Sequence, residues 1–527
     1  MNEPLERQLQ KGWDGTCRAV FGEEVGALHE FEAWLSSGGW NPKAARSSVS
    51  GKEIYFGVDC CPKGAKNVGF DEVGTGKKFE PLSINGIKDM DSLIEAVQER
   101  AQYAGSVMLG NCSNVEKSSN ISDSHYILGC DGCGDSKCLA HTRFARLCES
   151  VFGSDAPGES SFCIKCNDTY RAVRSFELWR GGTSSDCYYA YNLDDCADCM
   201  FCFQLKGKRH HIGNLELPKA KYLEIKRKLV AEMAQALGEK KRLPSLAEIA
   251  GNCPKPDVKG ALFGVGRKRM EENKARIEEA FSDVSGMLLG KKLAGMDGYG
   301  EWLEAHTRKI EEGKSAFSGE RVLIMDYARQ LDLPKGRLAT YHEAYAWGET
   351  AKISEEEAGR ITLGNAHAII GNIAYFSTEH YLGVNRNIIE CPVVGNCTDC
   401  YRLSPSVLTK SSAFCFWPRS SERCFGCSVV FDSGFCMDCY HSVKLQRCFE
   451  CDSCRSSSDC YFCHNAENCH DCLFCFNVKN LRYAVGNVEV GKEEYARVKR
   501  LVLAEIGARL EKDKKLGLSI YSIGAKG

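Results

Sequence analysis

The sequence predicts an α+β chain: two duplicated narrow β-solenoids with helical caps and a helical connector. Three observations predict it. Two segments, starting at Ser184 and Ser457, match without a gap at an offset of 273, with 23 identities in 50 positions. Within and upstream of each segment residue types recur every twelve positions, as at Cys424, Cys436, Cys448, Cys460 and Cys472. Every third position of that beat carries mostly small or apolar side chains. An inward residue at every third position suits neither a helix nor a flat strand. It suits a thin coil with several corners per lap and laps stacked at about 4.8 Å.

The elements follow in order. Residues 1–110 read as a mixed α/β segment and cap, with Gly-rich loops and an amphipathic helix opening near Asp89. "GTGKK" at Gly74 is too short and too loosely placed for a nucleotide loop. The first solenoid spans 111–214, about eight twelve-residue coils from "VEKS" at Val115 to "CMFC" at Cys199. "HHIGNLEL" reads as one closing strand. A cap helix occupies 215–251, with Tyr222, Ile225, Leu229 and Met233 on one face. Residues 252–384 read as a helical connector that includes "KRMEENKARIEEAF" and "RVLIMDYARQL" and caps the second solenoid. The second solenoid spans 385–487, again about eight coils, and closes with "YAVGNVEV". Residues 488–527 form a C-terminal cap helix and tail, with Tyr495, Val498, Val502 and Ile506 inward.

Composition excludes several classes of function. The net charge of −2 on 527 residues gives no global basic field for nucleic acid or an acidic membrane. No apolar run is long enough to span a bilayer, and the first residues lack the layout of a secretory signal. A cytoplasmic protein with no membrane contact is expected. Walker, HExxH and GxSxG motifs are missing, so an enzyme is the less favoured class. The 31 cysteines are unevenly spread, sixteen between Cys391 and Cys475 and eleven between Cys112 and Cys202.

Stretches such as "GNCSNVEKSSN", "SSDCYYAYNLDDC" and "IGNLELPKAKYLEIKRKL" resemble an uncharacterised group of cysteine-rich repeat proteins from microbial genomes. That resemblance implies a shared fold and no known activity. The coils are also similar to the twelve-residue β-helix of beetle antifreeze proteins. The chain lacks a two-column Thr ladder, so ice binding is not implied.

Three readings of the cysteines compete. Free Cys is a small apolar filler, and positions 1 and 4 of the beat exchange Cys with Val, Ile, Leu, Ser or Thr, which favours packing. Alternatively, stacked CxxC pairs would bring four sulfurs together as a zinc site. The candidates are Cys424, Cys427, Cys436 and Cys439, then Cys448, Cys451, Cys460 and Cys463. Disulfides such as Cys391–Cys397, Cys448–Cys454 and Cys463–Cys469, or iron–sulfur ligation at the CxxCxxC runs, form the third reading. No cofactor is expected under the favoured reading, and zinc is the one that the alternative would bring.

Position 2 of the beat is apolar in fifteen of sixteen coils. Tyr401, Phe425, Met437, Phe449 and Tyr461 therefore form either a covered ladder, which is favoured, or a platform for a protein partner or self-association. Aromatic and basic residues cluster near the rod ends: Tyr191, Phe203, Lys206, Lys208 and Arg209, then His464, Phe476, Lys479 and Arg482. They leave nucleic acid as a weaker partner class. His210 and His211 read as structural. The expectation is a non-enzymatic scaffold or binding protein. The alternatives are a zinc protein contacting nucleic acid, or an enzyme in the cleft between the solenoids.

Overall fold

The computed structural model describes residues 2–38, 41–57, 64–74, 79–262, 264–265 and 272–525. "GTGKK" after Gly74, Cys60 and Cys61 lie outside them. The chain is mixed α/β with long parallel sheets in a solenoid-like arrangement. From coil to coil most strand partners sit twelve residues apart. His125, Lys137, Glu149, Ser161, Val173, Ser185, Ala197 and Arg209 form one continuous column of such partners. Arg386, Thr398, Lys410, Glu422 and Gly434 form another.

The corners are made by left-handed residues. From Asn114 to Gly213 every third residue has a positive φ, whether Asp, Leu, Phe or Lys. From Asn387 to Gly486 the same holds except at Val393 and Pro405. Proline's ring forbids that region. Each corner costs strain in an L-residue. What offsets it is closure: the corner N–H bonds the preceding coil, as His141 N–H does to Leu128 O at 2.9 Å.

The apolar outer ladders are covered by the chain's own helices. Helix Glu3–Phe21 lies along the first, setting Leu9, Trp13 and Cys17 against Leu128, Phe152 and Phe176. The Trp13 and Phe152 rings meet edge-on at 5.3 Å. Helix Lys274–Leu289 lies along the second, with Phe281 against Phe425 at 5.4 Å. The two helices even share an anchor: Tyr188 OH donates to Val20 O, and Tyr461 OH to Leu288 O.

Several sequence expectations change. "RVLIM" is a strand, Arg321–Met325, antiparallel to Ile310–Lys314. Its run of aliphatic residues after a Ser–Gly turn makes a buried hairpin arm. "HHIGNLEL" is two strands, Arg209–Ile212 and Leu215–Glu216, joined at Gly213 and Asn214, both with positive φ as a tight hairpin requires. The helix N-capped by Asp89 ends at Val97.

The capping is crosswise. Residues 43–105 and 310–376 form two similar modules, each a hairpin followed by a parallel strand pairing. In each a buried turn serine donates to a glutamate: Ser47 to Glu72 at 2.6 Å, Ser315 to Glu343 at 2.5 Å. The first module packs on the second solenoid and the second module on the first. Asn477 Nδ2 donates to Gln102 O, while Gln204 Nε2 donates to Tyr375 O; both donors and both acceptors are 273 residues apart. Phe476 meets Tyr103 at 5.7 Å, and Phe203 meets Phe376 at 5.7 Å. Between the solenoids Phe144 touches Trp417, its own 273-residue counterpart, at 4.8 Å. Among the described residues no helix is long and apolar enough to cross a membrane.

Candidate functional site

The eight candidate cysteines fill the interior of the second solenoid, each with no exposure. Every described cysteine is free. Each of the eight thiols donates to the carbonyl two residues before it, at 3.3–3.6 Å. Inward serines do the same, as Ser457 Oγ does to Arg455 O at 2.9 Å.

The reason lies in the backbone. At many inward positions the N–H points into the lumen and is caught by the side chain one coil earlier. Cys424 N–H bonds Ser412 Oγ at 3.0 Å, Cys427 N–H bonds Cys415 Sγ at 3.4 Å, and Cys469 N–H bonds Ser457 Oγ at 3.1 Å. An unpaired buried N–H costs on the order of 1–3 kcal/mol. Small residues with both a donor and an acceptor satisfy it, which is why Ser, Thr and Cys share these columns.

Burial raises the Cys439 and Cys451 thiols well above their ordinary value. It also acts on Cys427, Cys436 and Cys463, but donation from neighbouring thiols outweighs it and lowers them. Thiols in adjoining coils therefore interact as neighbours. Among the described residues, no three or more His, Cys, Asp or Glu groups converge as a metal site.

The five proposed platform residues are 0–7 % exposed and lie beneath the second solenoid's covering helices. The aromatic and basic clusters separate. Tyr191, Phe203, His464 and Phe476 are buried, whereas Lys206 and Lys479 pair with Asp194 and Glu467 one coil away. Lys208 is half-buried, and Arg209 and Arg482 are exposed. His211 bonds Arg209 O, and His210 packs on the Tyr222 ring, so the two imidazoles serve the cap.

Sequence reasoning missed a cleft of about 660 Å³ beside the first solenoid. Its floor is Lys165 and Glu177, corner residues of successive coils, each 1 % exposed. Lys165 Nζ donates to Leu35 O at 3.2 Å, Ser37 O at 3.2 Å and Ser37 Oγ at 3.0 Å. Burial, then Arg329, lowers its pKa to about 7 against the pull of Glu177. Glu177 Oε2 accepts from Trp179 Nε1 and Leu246 N, both at 2.8 Å. Burial raises its pKa. The rim is three ion pairs, Lys241–Glu30, Arg242–Glu248 and Arg329–Asp332. Lys165 was hidden inside "CIKC", which reads as a ligand motif. The signal was a Lys and a Glu at the same corner of consecutive coils.

The chain matches no family model, no curated protein and no solved structure.

Proposed function

We propose that the chain is a non-enzymatic binding protein, built as two copies of one unit of about eight coils plus a capping module. The duplication is supported by the contacts that recur 273 residues apart on both sides of the Phe144–Trp417 contact. Unpaired thiols among the described residues favour a reducing, cytoplasmic setting.

The observation that carries the binding reading is the state of Lys165. A buried amine with a pKa near 7 is the usual profile of a nucleophilic lysine. Here its three donors are committed to three oxygens of the chain's own backbone and side chains. Freeing a lone pair for attack would cost one of those bonds at a buried site, so the amine is held as a fixed charge in the cleft floor. The rim alternates acid and base. The complementary ligand is a small zwitterion, such as an amino acid or short peptide.

Thermal unfolding of the full chain against free amino acids and dipeptides tests this. A binder at a hundred times its Kd adds about 2.7 kcal/mol of stability. The gain should vanish in Lys241→Ala/Arg242→Ala. If no member stabilises the wild type, the cleft reading fails. If borohydride in the presence of an aldehyde traps an adduct on Lys165, the chain is an amine-dependent enzyme instead.

A further inference from the structure

The second solenoid has the same corner with the opposite charge. Gly153, Lys165 and Glu177 stack on successive coils of the first; Gly426, Asp438 and Glu450 are their counterparts 273 residues on. Two features of the surroundings correspond. Glu177 accepts from Leu246 N at 2.8 Å, and Glu450 accepts from Ile520 N at 2.8 Å. A Cβ on Gly153 would lie 3.0 Å from Leu35 O, and one on Gly426 would lie 3.0 Å from Leu303 O. In the first solenoid the Lys165 ammonium binds that carbonyl.

In the second solenoid a carboxylate occupies the place of the ammonium. Asp438 is 1 % exposed, and neither of its oxygens has a hydrogen-bond partner. The same Gly426 Cβ position would collide with Asp438 Oδ1, so carboxylate and carbonyl oxygens converge on one spot. Glu450, also 1 % exposed, stacks one coil away. Two buried carboxylates in register repel each other. The first solenoid balances Lys165 against Glu177, whereas among the described residues this corner holds two acids and no base.

We propose that Asp438, Glu450 and the Leu303 carbonyl bind one hard divalent cation, Mg²⁺ or Ca²⁺, which replaces the ammonium that Lys165 supplies in the first solenoid. The donors are all oxygen, which selects such ions over zinc. Two carboxylates match a double positive charge, and water completes the shell of an ion held by few protein groups. The site is independent of the ligand in the cleft.

The competing account is a shared proton. Burial, above all, raises both carboxyls, Glu450 to about 8, with Cys427 adding to the effect. Cys427, Cys415, Tyr440 and Tyr103 are further titratable groups near the pair. Raised carboxyls favour the protonated fold, so without a cation stability is fullest below pH 4.5 and is lost as pH climbs towards 8.

Full-length protein stripped with chelator should be titrated with MgCl₂ or CaCl₂ at pH 8 by calorimetry and by thermal unfolding. One equivalent should bind saturably and raise Tm. Asp438→Asn should weaken binding about tenfold or more. Asp438→Lys, which restores the Gly–Lys–Glu stack, should fold with a Tm indifferent to either salt. No saturable heat on the wild type, with the same pH-dependent loss of Tm in either salt, overturns the proposal in favour of the shared proton. Binding unchanged in Asp438→Asn overturns it as well.

Discussion

An inward side chain in these coils has two duties, filling a narrow lumen and pairing a backbone N–H. Ser136 accepts from Cys148 N–H at 3.1 Å and donates to Gly134 O at 2.7 Å. Ser136→Ala should therefore cost about 1–3 kcal/mol by urea unfolding, while Ser136→Cys costs less. Cys436→Ser should cost about 1 kcal/mol and release no metal, since Ser performs both duties. Metal analysis of protein purified without added zinc checks this, and about one zinc or more per chain would restore the Cys₄ reading. Outward corners carry strain instead. Leu147 has φ 55° and is 51 % exposed. Leu147→Asn should raise stability by roughly 0.5–1 kcal/mol, because Asn tolerates the left-handed region.

At the scale of elements, a solenoid side is finished only when a helix lies on it. Phe425 is fully buried against Phe281. Phe425→Asp places a charge in that seam and should cost more than about 4 kcal/mol or prevent folding. Circular dichroism of the purified variant reads this directly. A folded variant of wild-type stability would mean that the helix does not seat there. Trp13→Ala should cost about 3–5 kcal/mol for the equivalent reason on the first solenoid.

Across the whole molecule each solenoid depends on a module from the other half of the sequence. Arg180, buried in the first solenoid, donates to Ser377, Thr378 and Glu379 carbonyls. Residues 1–262 alone lack those acceptors. That fragment should be unfolded as a monomer, or recover the exchange by pairing with a second copy of itself. Light scattering with denaturant unfolding distinguishes these outcomes from a stable monomer, which would contradict the mutual dependence. The intact chain should unfold in one transition.

Much of this was legible in the residues. Each coil touches mainly the coils twelve residues before and after, so a short repeat carries the solenoid rule openly. The Asp, Asn and Gly of every third position marked the left-handed corners too, although their spacing was read only for its small inward neighbours. The cover over Tyr401, Phe425, Met437, Phe449 and Tyr461 was expected in kind, but not which helix supplied it. The "RVLIM" hairpin arm passed for helix because a short aliphatic run has no distinctive period. By itself the sequence determined the coil, its register and the chemistry of its lumen, all set by neighbours at fixed spacing. Only the tertiary structure decided which module caps which solenoid, that Lys165 floors a cleft, and that Asp438 and Glu450 are buried on successive coils with no base beside them among the described residues. Those facts rest on contacts between residues hundreds of positions apart, where no local pattern records the partner.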